Sequence, residues 1–273
     1  MVGSEATDRL VVATWNINSI RSRIGLVDRF VTAYRPDVLL LQETRCPDDQ
    51  FPRSALEKLG FPHVVVNGRK GHHGVAIASN RPIERVGREN LADIDEGRHI
   101  SGLIEVGGRP AALHSVYIPS GGDEPDPEIN PKFRAKLAYL DAFAPWSILS
   151  SAEPSLVGGD FNVAPHPDDV WSHKQLLKVV SHTPQETERL DAALMAGRWI
   201  DVVRRDMPPP EKVFTWWSYR NRDHTVANRG RRLDHIWASP SLADRVSDVR
   251  VIAEARSWEK PSDHVPVLVT ITG

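Results

Sequence analysis

Eight polar residues in this sequence stand where apolar runs break off. Asn16 follows VVATW, Glu43 closes VLLLQE and Tyr117 ends AALHSVY. Asp160 and Asn162 follow SLVGG, Asp234 lies within RLDHIWAS, and Asp263-His264 precede VPVLVTIT. A charged side chain beside a buried strand costs several kcal/mol unless it is paired or binds a metal. One such residue reads as a cap or a salt bridge. Four carboxylates with a histidine, a tyrosine and two asparagines read as strand ends converging on one cleft. Oxygen ligands with few histidines suit a hard cation such as Mg²⁺, which takes one or two carboxylates and keeps several waters; Mn²⁺ is an acceptable substitute. Zinc is disfavoured, because the one cysteine, Cys46, belongs to no Cys/His ligand spacing. His72-His73, a lone pair in a glycine-flanked loop, carries little weight as a metal site. No G-x-S-x-G elbow supports a serine triad, and no GxGxxG or GxxxxGKS run supports a nucleotide cofactor.

Each of these residues has a plainer reading. Glu43 and Arg45, two apart, share a face of an extended strand and can form an ion pair. Asp160 and Asn162 point to the same side of an extended backbone, yet after Gly158-Gly159 they also fit an Asx-turn. Asn16 suits a turn, Tyr117 suits the rim of a core, and Asp234 can pair with a nearby arginine. Asp263 and His264 would face apart in a regular strand, so the Pro261-Ser262 turn must shape the chain for both to reach one site.

The elements that would hold these residues alternate strand-like and helix-like. Val11–Trp15, Val64–Asn67, Val75–Ser79, Ile100–Val106, Ala111–Ile118 and Ser155–Gly158 read as strands, as does the continuous apolar run between Asp37 and Glu43. Phe214–Trp217, Leu233–Ala238, Val246–Ile252 and Val265–Ile271 follow in the second half. Ile24, Val27, Phe30, Val31 and Tyr34 recur at helical spacing before Pro36, and a second helix is expected over Lys132–Phe143. Thr183-Pro184-Gln185-Glu186 has the form of a capping box opening a third. Two sheets packed face to face with helices outside would bury these runs. The expected organisation is a tail over 1–9 and one catalytic domain over 10–273.

The 273 residues carry a formal net charge of −2, so the chain as a whole is not a basic nucleic-acid binder. Its arginines are concentrated, however: RNRDHTVANRGRR, residues 220–232, holds five, while GGDEPDPE at 121–128 is acidic. Alone, the arginine run reads as a solvated loop; between an aromatic cluster and Asp234 it becomes a candidate for phosphate contact. MVGSEATDRL offers no secretory signal, no apolar stretch could cross a bilayer, and a single cysteine suits a reducing compartment. A cytoplasmic protein without a membrane partner is expected, with a monomer as the default.

The ordered segments WNINSIRSR, PDVLLLQET, VYIPSG, GGDFNVAP, FTWWSYR, NRGRRLDHIWAS and EKPSDHVPV resemble those of the exonuclease III family of DNA-repair nucleases, from about residue 10 to the end. That resemblance implies a four-layer α/β sandwich, with two mixed β-sheets between helices. It implies a Mg²⁺-dependent nuclease that cuts 5′ of abasic sites and trims duplex DNA 3′→5′, leaving a 3′-hydroxyl. It assigns Glu43, Asn16 and Asp263 to the metal, Asp160 to proton transfer and Asn162 to the transition state. His264, held by Asp234, would contact the phosphate, and Tyr117 would bind it or assist the leaving group. Trp216 and Leu233 match positions lining an abasic-sugar pocket, with one of the paired tryptophans packing inward. Arg231 stands where relatives carry Trp or a large aliphatic, and Arg220, Lys132, Arg134 and Lys136 are candidate phosphate contacts. Two other readings stay open: a family phosphodiesterase or phosphatase acting on a small or lipid phosphoester, and a non-catalytic DNA-binding descendant.

Overall fold

The computed structural model describes residues 8–71, 73–220 and 224–273. The first seven residues of the expected tail, together with His72 and Arg222, lie outside the described residues. Twelve strands are assigned among those described: β1 (Arg9–Asn16), β2 (Val38–Gln42), β3 (His63–Asn67), β4 (Val75–Ser79), β5 (Glu84–Gly87) and β6 (His99–Val106) in the first half. β7 (Arg109–Tyr117), β8 (Ser155–Asp160), β9 (Ile200–Asp201), β10 (Asp234–Ala238), β11 (Val246–Val251) and β12 (Val267–Thr272) complete the set. They form two six-stranded sheets, ordered β11-β12-β1-β2-β4-β3 and β5-β6-β7-β8-β10-β9. Each sheet is antiparallel except for one parallel pair at its middle, β1 with β2 and β7 with β8.

The layering follows from which faces are apolar. One core cluster mixes residues of both sheets, among them Leu10, Leu40, Ile77, Ile104, Leu113, Ile236 and Val269, so the sheets pack face to face. The outer face of the first sheet (Trp15, Leu39, Leu41) meets Val27 and Phe30 of the helix Ile20–Tyr34. The outer face of the second (Val116, Val157, Trp237) meets the helices Pro131–Ser150 and Pro184–Ala196. Four layers result, as the alternation of strand and helix patterns implies.

The sheets approach closely where β8 crosses β1 and β2. A Cβ on Gly158 would lie 2.7 Å from Leu40 Cδ1 and 3.3 Å from Thr14 Cβ, so a side chain there would displace the Leu40 side chain and crowd Thr14. Beneath the strand ends, Gln42 Nε2 donates to Thr14 Oγ1 (3.1 Å) and, across the interface, to Ser115 Oγ (3.0 Å). These bonds satisfy polar groups that would otherwise be costly to bury.

Two expectations fail locally. Phe214–Trp217 is no strand: Trp216 makes only isolated bridges, to Arg231 and His264, and the backbone of this segment bonds to two separate loops. Its run of aromatics mimics strand composition, but the rings fill gaps between elements rather than one pleated face. The edge strands β5 and β9 were not foreseen; β5 is exposed over three of its four residues, so it lacks the alternation that would mark it.

Candidate active site

Parallel pairing puts the C-terminal ends of β1 and β2 at one edge of the first sheet, and those of β7 and β8 at the matching edge of the second. The antiparallel neighbours β12 and β10 begin at that same edge. Asn16 is the last residue of β1, Glu43 follows β2, and Tyr117 and Asp160 end β7 and β8. Asp234 opens β10 opposite Asp160, and Asp263-His264 lead into β12. All eight polar residues of the sequence pattern converge there. All but Asn16 and Asp234 line one cleft of about 710 Å³, and those two are wholly buried behind it.

Asn16 is the hub. Its Nδ2 donates to Glu43 Oε1 (3.0 Å) and Asp160 Oδ2 (2.9 Å) and lies 3.4 Å from His264 Nε2. Glu43 sits in a left-handed turn (φ 49°) that swings it off the end of β2. Tyr117 donates to its Oε1 (2.9 Å), and Arg45 grips its Oε2 through Nε (2.9 Å) and Nη2. The Glu43–Arg45 ion pair therefore exists within the site. Asp263 is fixed by Asn18 Nδ2 (2.9 Å) and Trp216 Nε1 (3.0 Å). Ser262 shapes the turn that aims Asp263 and His264: its hydroxyl donates to the Asn16 carbonyl (2.7 Å) and accepts from His264 N (3.3 Å).

Asp160 and Asn162 do form an Asx-turn, with Asn162 N donating to Asp160 Oδ1 (2.9 Å) and Asn162 at φ 54°. The turn, rather than an extended backbone, brings the two side chains together, and Asn162 Nδ2 reaches both Asp160 Oδ2 (3.1 Å) and the Ile118 carbonyl (2.9 Å). Among the described residues Asp234 pairs with no arginine: its Oδ2 takes His264 Nδ1 at 2.8 Å, while its backbone N–H donates to Thr215 Oγ1 (3.0 Å). His264 Nε2 then faces Asp160 Oδ2 at 3.6 Å. The result is a chain Asp234–His264–Asp160.

Burial raises the Asp160 carboxyl to about 7; the His264 charge works against this, and Asp234 and Glu43 add to it. Burial opposes a charge on His264, but Asp234, Asp160 and Asp263 outweigh it and raise the imidazole to about 10. Burial also lifts the Tyr117 hydroxyl well above its ordinary value, reinforced by Glu43 and Asp160. Asp263 is held low against its own burial by His264 and by the bonds from Asn18 and Trp216. A protonated imidazole thus lies between the carboxyl groups of Asp234 and Asp160.

Asp160, Asp234 and His264 offer ligand atoms within 4.8 Å of one another, a spacing that could hold a cation. The Nδ1 proton shared with Asp234 would have to leave first. Glu43 and Asp263 also line the cleft, Glu43 held by Arg45 and Asp263 by Asn18 and Trp216. Carboxylate oxygens suit a hard cation, and Asn16 can present Oδ1 in place of Nδ2 by turning its amide.

The remaining candidates are distributed around the cleft. Trp216, half-buried, lines it with Leu233, Arg231 and Arg220, while Trp217 packs inward. Lys132 lies across Tyr117, in an adjoining cleft of about 600 Å³ that it shares with Arg45, His73 and Arg98. Lys136 is not a surface cation. It is wholly buried, pairs with Glu186 and donates to the Asn162 carbonyl (2.7 Å). Arg232, counted in the arginine run, is equally buried between Asp169 and Asp201. The Pro261-Ser262 turn shapes the chain as the sequence requires, but sequence reasoning missed Asn18 and Thr215. Each is a small polar residue whose role depends on a partner far along the chain, although both sit in segments that the motifs marked.

The comparisons agree with this fold. The pattern of the endonuclease/exonuclease/phosphatase family matches residues 13–264. Exodeoxyribonuclease III of Haemophilus influenzae is 31% identical over 93% of this chain and 97% of its own length. The solved AP endonuclease from Archaeoglobus fulgidus superposes with a TM-score of 0.85 at 32% identity, covering 96% of this chain and 99% of that one. A Neisseria 3′ phosphatase bound to product DNA hairpin gives 0.86 at 30% identity, covering 97% and 100%. With the family pattern matched over residues 13–264 and relatives above 30% identity aligned along nearly the whole length, this chain belongs to the endonuclease/exonuclease/phosphatase family.

Proposed function

We propose that this chain is a Mg²⁺-dependent DNA-repair nuclease that cleaves the phosphodiester 5′ of abasic sites and removes nucleotides or blocking groups 3′→5′ from duplex DNA ends. The observation that carries the reading is the Asp234–His264–Asp160 chain, joined through Asn16 to Glu43, at the wall of one cleft. The Haemophilus, Archaeoglobus and Neisseria relatives, which include an AP endonuclease and a 3′ phosphatase with product DNA, support the substrate class.

In this reading, residues 10–273 act as one catalytic domain, and Glu43, Asp263 and Asn16 hold the metal. Bound there, Mg²⁺ supplies neutralisation of charge growing on the leaving oxygen. Asp160, whose Oδ2 faces the cleft beside Asn162, takes the proton of the attacking water as the water oxygen bonds to phosphorus. His264 is kept protonated by Asp234 and donates to a phosphate oxygen, an interaction that strengthens as negative charge develops. Asn162 orients Asp160 and stabilises the transition state as its amide turns towards the phosphate. Tyr117 stays protonated and serves as a hydrogen-bond donor to the phosphate or leaving oxygen. The P–O3′ bond breaks and the 3′ oxygen takes up a proton, leaving a 3′-hydroxyl. Trp216 and Leu233 line the sugar pocket, and Arg220, Arg231 and Lys132 contact DNA.

One assay tests this. A duplex with a single abasic analogue is incubated with Mg²⁺ or EDTA, beside a lipid phosphoester. Metal-dependent incision 5′ of the lesion is expected, with Glu43→Ala, Asp160→Ala and His264→Ala each lowering turnover by roughly tenfold or more. Binding without cleavage, or turnover of the lipid alone, would overturn the proposal.

A further inference from the structure

Two adjacent arginines are treated oppositely by the fold. Arg232 is neutralised on all sides, by Asp169 and by Asp201. Arg231 lines the cleft, yet no carboxylate among the described residues lies within ion-pair distance of it. Its Nη1 donates to the Val180 carbonyl (2.9 Å) and Ser181 Oγ (2.8 Å), both uncharged, and its Nε is buried without a partner. Among the described residues Nη2 has no hydrogen-bond partner, and Arg231 lines the cleft.

The guanidinium is also held rigidly. Its carbon sits 5.3 Å over the Trp216 ring, and the backbones of the two residues exchange both hydrogen bonds at 3.0 Å. Trp216 is in turn bonded to Asp263 beside His264. Arginine keeps its charge at any working pH. The carboxylate that acts on it, Glu186, is already paired with Lys136, and a largely buried charge without a counter-ion of its own is costly. Such a group is complementary to an anion that arrives with the ligand.

We propose that Arg231 is a specificity-determining residue that binds a second anionic group of the substrate, adjoining the scissile phosphate, in the pocket formed by Trp216, Leu233, Val180 and Ser181. This rests on the phosphodiester-hydrolase reading. The anion has two sources: the next phosphate of a continuing strand, or an acidic group ending a blocked 3′ terminus.

Three duplexes separate them. A 3′-phosphate end presents the scissile phosphate alone, a 3′-phosphoglycolate end adds a carboxylate, and an internal abasic analogue adds the following backbone phosphate. For each, kcat/KM is measured relative to the 3′-phosphate end, for the native protein, Arg231→Leu and Arg231→Lys, with thermal melting as a folding control. Arg231→Leu is expected to lower the ratio for at least one two-anion substrate by about tenfold or more, and Arg231→Lys to retain part of it. Loss confined to phosphoglycolate assigns the carboxylate; loss confined to the abasic duplex assigns the backbone phosphate. Both ratios staying within about twofold of native in the two variants overturns the inference. If the native protein hydrolyses none of the three, the nuclease reading falls, and this inference with it.

Discussion

At the residue scale, the site is a problem in placing like charges together. Asp160, Glu43 and Asp234 approach one another in a buried setting, and the groups between them are the Asn16 amide and the His264 ring. Proton transfer by Asp160 requires its ionised form, and its carboxyl sits at about 7. The log of kcat/KM should therefore rise with pH up to about 7 and flatten above, with a bound cation moving the bend to lower pH; a flat profile between about pH 5 and 8 would remove Asp160 as the base. Asp234→Asn keeps the shape but takes away the anion that keeps His264 charged. Turnover should fall about a hundredfold with little change in melting temperature, whereas unchanged turnover would mean that His264 works without its partner.

At the element scale, the loop after β8 is held from outside the cleft. Glu186 caps its own helix, accepting from Thr183 N (3.2 Å) and Thr183 Oγ1 (2.7 Å), and takes Ser181 N as well. It also pairs with Lys136, whose Nζ reaches the Asn162 carbonyl. A helix cap and the loop that carries Asn162 thus share one buried ion pair. Removing one partner of such a pair leaves an uncompensated charge, so Lys136→Met should cost about 3–5 kcal/mol. It should also lower turnover in the fraction that remains folded. Urea unfolding beside kinetics reads both; a stable variant with full activity would show that the pair neither holds the fold nor positions Asn162.

At the scale of the whole molecule, a second buried network joins distant segments. Asp169 accepts from Arg204 Nε (2.9 Å) and Arg232 Nε (2.7 Å), and Arg232 Nη1 continues to Asp201 (2.7 Å). Burial works against both carboxylates, but the Arg232 charge outweighs it and holds Asp169 and Asp201 below the usual range. A depressed folded-state value gives stability that is present above the unfolded value, about 3.9, and is lost as pH falls through the folded one. Asp160 and His264 act in the opposite sense, their contributions fading as pH rises through about 7 and about 10. Acid unfolding should therefore begin below about pH 4, and Asp169→Asn should weaken the protein above that point while lessening the dependence below it. Equal pH dependence of native and variant unfolding free energy would exclude Asp169 as a source.

What the sequence determined by itself was the identity of the chemistry and most of the elements. Apolar runs of the right period marked ten of the twelve strands among the described residues, missing β5 and β9 and adding Phe214–Trp217, and polar residues at their ends marked the candidate site, because burial makes such residues expensive without a purpose. The Thr183–Glu186 capping box was legible for a related reason: both partners lie within one helical turn. Tertiary structure alone decided which cations face the cleft. Lys136, Arg231 and Arg232 look alike in sequence, yet one is paired with Glu186, one is unpaired beside Trp216, and one is enclosed by Asp169 and Asp201. Charge type is local, but its neutralisation depends on partners tens of residues away, and those are set only when the two sheets close on each other.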